Sequence, residues 1–154
     1  AWMYRAQETP TGTGTKASFS CWVKQGKYMA TGGYLQIQDF AATSSFSIYE
    51  NAGDIGFNAL NDSGYVARRY TDAKLRDPGA WTHVFALWDT TDAVAADRMQ
   101  LWVNGVRITS FSLETDPVQD STLDCLDNSV VTRQIVASYS YGGGSYFDGY
   151  IHQI

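Results

Sequence analysis

The chain has 154 residues, enough for one domain with a sizeable core, and its formal net charge is −5, which argues against polyphosphate partners such as DNA or RNA. Only 18% of residues are charged while 44% are hydrophobic, so the chain is not a disordered one, and 5 Trp, 10 Tyr, 7 Phe and 14 Gly favour β-structure. No apolar run approaches the roughly 20 residues of a membrane span and no secretory signal pattern opens the sequence, so membrane insertion is not expected.

Residues 1–16 read as a lead-in and residues 17–154 as the domain. Ala17 to Lys24 alternates Phe19, Cys21 and Val23 against Ser18, Ser20, Trp22 and Lys24, the period of a strand with one buried face. Tyr34 to Asp39 and Ser45 to Glu50 repeat the pattern with Leu35, Ile37, Phe46 and Ile48; Ile55 to Leu60 and Tyr65 to Tyr70 are shorter strands of the same kind. Trp81 to Asp89 is apolar in both phases and reads as a central strand covered on both sides. Thr91 to Arg98, with Ala93, Ala95 and Ala96, is too short for a stable helix and reads as a loop or a single turn. Met99 to Val103 and Val106 to Phe111 flank Asn104-Gly105, whose residue types suit the two positive-φ positions of a type I′ hairpin turn. Ser112 to Asn128 is polar, acidic and without period, and reads as a long surface loop. Arg133 to Ser138 and Tyr146 to Ile154 complete the strands. About ten short strands with turn residues between them predict an all-β fold, an antiparallel two-sheet β-sandwich, with Phe19, Val23, Phe85, Leu87, Leu101, Val103 and Ile135 buried. Trp22, Trp81, Trp88 and Trp102, all in or beside strands, are assigned mainly to the core or between the sheets.

Phe19-Ser20-Cys21-Trp22-Val23-Lys24, Arg76-Asp77-Pro78-Gly79-Ala80-Trp81-Thr82-His83-Val84, Asp89-Thr90-Thr91, Asp97-Arg98, Leu101-Trp102-Val103-Asn104-Gly105-Val106 and Tyr146-Phe147-Asp148-Gly149-Tyr150-Ile151 follow one another in an order that resembles concanavalin A-like, laminin G-like domains. The wording is most similar to such domains in structural proteins of bacteriophages, especially marine ones. The resemblance implies a concanavalin A-like jelly roll that forms a segment of a longer virion protein, placed on the outer surface or an appendage of a particle and otherwise extracellular. Its implied partners are other virion proteins, host-surface glycans and, in an assembly, further copies of the chain. The fold hosts lectins, glucanases, adhesion modules and spacers, so it does not settle function.

The enzyme reading fails on the residues. Glucanases of this fold align paired carboxylates on one strand; here the glutamates are Glu8, Glu50 and Glu114, and the nearest match, Glu114-Thr115-Asp116-Pro117, lacks the second Glu. His83 has no Gly-x-Ser-x-Gly partner motif and reads as a hydrogen-bonded structural histidine sharing a face with Trp81, Phe85 and Leu87. No cofactor is expected, with calcium as the alternative: Asp89, Asp92 and Asp97 crowd one loop, although Asp89 before Thr90-Thr91 is explained as a turn former. Asp116, Asp120, Asp124 and Asp127 with Asn128 form a second acidic loop, read as solvated. Cys21 and Cys125 are expected as free thiols. For glycan binding, Tyr139, Tyr141 and Tyr146 around Gly142-Gly143-Gly144 combine aromatic faces, hydroxyls and room for close approach, and are the expected rim. The expected function is a non-catalytic module that binds host-surface glycans or is displayed on a particle. The alternative is a cementing module that touches only other viral chains.

Overall fold

A computed structural model describes residues 3–8, 12–27, 32–39, 43–127, 132–138 and 146–153. The predicted all-β antiparallel sandwich is what it contains. The strands are β1 (Met3–Glu8), β2 (Lys16–Gln25), β3 (Gly32–Asp39), β4 (Ser45–Asn51), β5 (Asp54–Asn61), β6 (Gly64–Thr71), β7 (Thr82–Asp89), β8 (Met99–Val103), β9 (Val106–Arg107), β10 (Phe111–Thr115), β11 (Thr132–Val136) and β12 (Gly149–His152). A seven-stranded sheet runs β1-β11-β3-β4-β5-β6-β10, and a five-stranded sheet runs β12-β2-β7-β8-β9.

Alternation decides what lies between the sheets. Phe19, Cys21 and Val23 of β2, Val84, Ala86 and Trp88 of β7, and Met99 and Leu101 of β8 form the inner face of the five-stranded sheet. Leu35, Phe46, Ile48, Ile55, Phe57 and Ala59 oppose them from the seven-stranded sheet. Each of the larger side chains contributes about 1.5–3 kcal/mol by leaving water. Trp88 is wholly enclosed, and its indole N–H donates to the Gly14 carbonyl at 3.1 Å, so the polar atom of the largest core side chain is satisfied. Cys21 and Cys125 are free, as expected, and burial pushes each thiol up to about 12.

Turn chemistry sets the registers. Asn104 and Gly105 take φ of 51° and 78°, the predicted type I′ turn between β8 and β9. Ala52 and Gly53, at 53° and 92°, make the same kind of turn between β4 and β5, where Asn51 faces Asp54.

Three expectations need correction. The strand after Asn104-Gly105 is only two residues long; the chain then leaves the five-stranded sheet, and Phe111–Thr115 forms the edge of the other one as β10. Ser112 to Thr115 looked like loop because an edge strand with mostly exposed residues shows no apolar period. The wholly enclosed Arg69 anchors it, pairing with Glu114 at 3.0 Å and with Asp116 while its guanidinium lies over the Phe111 ring. Second, the lead-in contributes β1, which pairs with β11. Third, Phe85 and Leu87 are only partly buried: β7 is central but alternates strictly, Thr82, Val84, Ala86 and Trp88 inward and His83, Phe85, Leu87 and Asp89 outward. Val103 is likewise only partly buried, while Phe19, Val23, Leu101 and Ile135 are buried as expected. The 91–98 segment is a loop closed by one 3₁₀ turn, Ala95–Asp97, in line with its reading.

Candidate functional site

The acidic loop is not assembled into a ligand set. Asp89 accepts from Thr91 and from Lys16 Nζ at 2.9 Å, and these bonds hold its carboxyl below the usual carboxylate range. Asp92 accepts the Val94 backbone N–H at 2.8 Å, and Asp97 pairs with Arg107. Each carboxylate serves a different partner, and among the described residues no three His, Cys, Asp or Glu side chains converge as a metal site. In the second acidic loop Asp116 is taken by Arg69. Of the tyrosine rim, Tyr139 and Tyr141 lie outside the described residues; Tyr146 is exposed and bridges Ser138 across the base of that segment.

The chemistry that does converge lies on the outward face of the five-stranded sheet. Cys21 and Val23 point into the core, so Trp22 between them must point out. Trp22 stands opposite His152 of β12 on one side and His83 of β7 on the other. Trp81 precedes β7, beyond the last pair Val23 and Thr82, and Tyr150 stands opposite Lys24. Trp22 is 38% exposed, Trp81 46% and Tyr150 67%. Trp22, Trp81, His152 and Gln153 line an open groove of ≈ 400 Å³.

The rings in and around the groove are held. The Trp22 and His83 centroids lie 5.1 Å apart, and His83 Nε2 and Ser20 Oγ share a hydrogen bond of 2.9 Å. The backbone N–H of His83 donates to Asn104 Oδ1 at 2.8 Å, so the hairpin turn also fixes the start of β7. Trp81 and His152 meet edge to face at 6.4 Å. His83 is thus the hydrogen-bonded structural histidine expected, on the face shared by Phe85 and Leu87. The assignment of Trp22 and Trp81 to the core is wrong, and Trp102 is only partly buried; of the four, Trp88 alone is core. The signal was present, because Trp22 falls in the polar phase of its strand, with Ser18, Ser20 and Lys24. Two indoles with an imidazole and an amide at their edges offer flat apolar surface beside hydrogen-bonding groups, and no carboxylate pair.

A family model described as the concanavalin A-like lectin/glucanases superfamily matches residues 4–154. None of the curated proteins compared with the chain matches it. Among solved structures, domains LG4-5 of the mouse laminin α1 chain superpose with a TM-score of 0.66 at 11% identity, over 97% of this chain and 37% of that one. The CBM40 of the Ruminococcus gnavus IT-sialidase, bound to α2,3 sialyllactose, gives 0.65 at 17% identity, over 91% of this chain and 73% of that one. Domain 4 of an extracellular GH43 arabinanase from Geobacillus stearothermophilus, in complex with arabinotriose, gives 0.59 at 15% identity, over 92% and 60%. At these identities the likeness is one of fold.

Proposed function

Because the chain belongs to the concanavalin A-like lectin/glucanase superfamily, we propose that it is a non-catalytic glycan-binding module whose binding groove is lined by Trp22, Trp81, His152 and Gln153. The observation that carries this reading is the exposure of two indoles, 38% and 46%, in one open groove. Sugar rings present C–H patches that stack on such planes, while His152 and Gln153 supply hydrogen bonds to hydroxyls. The neighbours bound to sialyllactose and arabinotriose support the same use of the fold. The non-catalytic part is supported by the glutamates: Glu50 is wholly enclosed, and Glu114 is tied up together with Asp116 by the Arg69 guanidinium on the other sheet, away from the groove. The phage-like wording of the motifs supports placing the module on a virion surface or appendage, with host-surface glycans and other virion proteins as partners.

A glycan array probed with the wild-type chain, Trp22→Ala and Trp81→Ala, with and without a calcium chelator, tests the groove. Each substitution is expected to weaken binding about tenfold, or about 1.4 kcal/mol, with the melting temperature nearly unchanged and no effect of chelation. Binding indifferent to both substitutions would remove the groove. Reducing sugar released by the purified chain, and lost on Glu114→Gln, would overturn the non-catalytic reading. Detection of the chain in purified particles by mass spectrometry checks the virion setting.

A further inference from the structure

The aromatic surface continues past the groove. One row along from the His152, Trp22, His83 row, Ser20 stands opposite Phe85, Phe85 opposite Trp102, and Trp102 opposite Arg107. All share the outward face, because the residues between them, Cys21, Val84 and Leu101, are core. Phe85 and Trp102 are in ring contact, their centroids 5.0 Å apart. With strands about 4.8 Å apart and alternate residues about 6.7 Å apart along each, the rings from Trp81 to Trp102 form an oblique band of about 15 Å. That is longer than one pyranose ring.

We propose that this band is a platform for an extended β-1,4-linked glycan chain rather than a cradle for a single terminal sugar, an inference that rests on the glycan-binding reading of the groove. Pyranoses with equatorial hydroxyls and equatorial linkages show broad C–H faces and keep their polar groups at the ring edge. The protein has the complementary layout: rings along the middle, and Lys24, His152, Gln153, Gln100 and Arg107 in reach of the margins. The one carboxylate on the outward face of β2, β7, β8, β9 and β12, Asp89, sits at the far end and is held by Lys16. On the outward face of β2, β7, β8 and β12, Leu87 is the sole aliphatic side chain, so the apolar surface there consists of aromatic planes.

Titration calorimetry with cellobiose, cellotetraose, cellohexaose and α2,3 sialyllactose, on the wild-type chain, Trp22→Ala, Trp102→Ala and Trp102→Phe, separates the cases. Affinity is expected to rise about tenfold from cellobiose to cellohexaose. Trp102→Ala should erase that gain while leaving cellobiose binding intact, Trp102→Phe should keep most of it, and Trp22→Ala should weaken every length. Thermal melts of the Trp102 variants guard against misfolding, and the retained cellobiose affinity is a second check. Affinity independent of length, or cellohexaose binding indifferent to Trp102→Ala, overturns the platform and leaves the groove in place. Sialyllactose binding that depends on Trp22, without any binding of the cello-oligosaccharides, also overturns the platform alone. No Trp22-dependent binding of any of these sugars or of any glycan on the array overturns platform and groove together.

Discussion

On the outward face of the five-stranded sheet, Trp22, Trp81 and Tyr150 lie exposed; on the outward face of the seven-stranded sheet, Gln36, Ser47, Tyr49 and Asn58 lie buried. The usual expectation of apolar inside and polar outside is inverted twice in one molecule. The first face spends apolar area on solvent, which has a purpose only if something covers it in use. The second removes polar atoms from water. There Tyr49 lies across Gly56, donates its hydroxyl to Tyr70 at 2.7 Å and accepts from Asn58 Nδ2 at 2.7 Å. In the next row Gln36, Ser47 and Asn58 stand side by side, and Gln36 Oε1, Ser47 Oγ and Asn58 Oδ1 have no hydrogen-bond partner among the described residues. Residue type alone therefore does not assign a side; strand phase does.

The largest effect that tests this comes from setting an inward indole against an outward one. Trp88→Ala empties the centre of the core and removes the indole hydrogen bond to the Gly14 carbonyl, and is expected to cost about 3–5 kcal/mol in urea denaturation. Trp22→Ala, in the opposite phase of the neighbouring strand, is expected to cost less than about 1 kcal/mol. Comparable losses at both positions would mean that the outward indole is structural, and would break the contrast on which the binding groove rests.

The other face is tested by Gly56→Ala. A Cβ at Gly56 would fall 2.6 Å from Tyr49 Cζ, so the enclosed ring must move and its two hydrogen bonds must loosen. A loss of about 2–3 kcal/mol is expected. In a Tyr49→Ser background the same substitution should cost clearly less, because the obstructing ring is gone. An unchanged cost in that background would show that the strain lies in the backbone at Gly56 and not in the ring above it.

Much of the fold was legible because strand phase and turn chemistry act locally. Phe19, Cys21 and Val23 announced their inward face, and Asn104-Gly105 announced its turn. β10 was not, because the interactions that place it are long-range in sequence: Arg69 reaches Glu114 and Asp116 from β6, its neighbour in the sheet but far away along the chain, and neither carboxylate advertises that pairing in its own neighbourhood. The candidate site was half legible. Alternation already put Trp22 outward, yet tryptophan was assigned by its hydrophobicity rather than by its phase. The convergence of Trp22, Trp81 and His152 needed the pairing of β12 with β2 and β2 with β7, which no local pattern carries.

The smallest effect concerns the buried polar row. Ser44 and Ser47 are both enclosed, three residues apart, and differ in what their hydroxyls do. Ser44 Oγ accepts the Cys125 backbone N–H at 3.1 Å, tying β4 to the segment that carries Leu123 and Leu126 into the core. Ser44→Ala should therefore lose about 1–2 kcal/mol, since it strands a buried donor. Ser47 Oγ has no partner among the described residues, so folding strips its water and returns nothing. Ser47→Ala removes that penalty, leaves the Cβ in place and gives up only a little strand preference. Its stability should be equal to that of the wild type or higher by about 1 kcal/mol. Parallel urea titrations of the two variants decide the matter: a loss at Ser47 as large as that at Ser44 would mean the hydroxyl is satisfied, by an enclosed water for example, and that the polar row is a working network rather than a set of stranded acceptors.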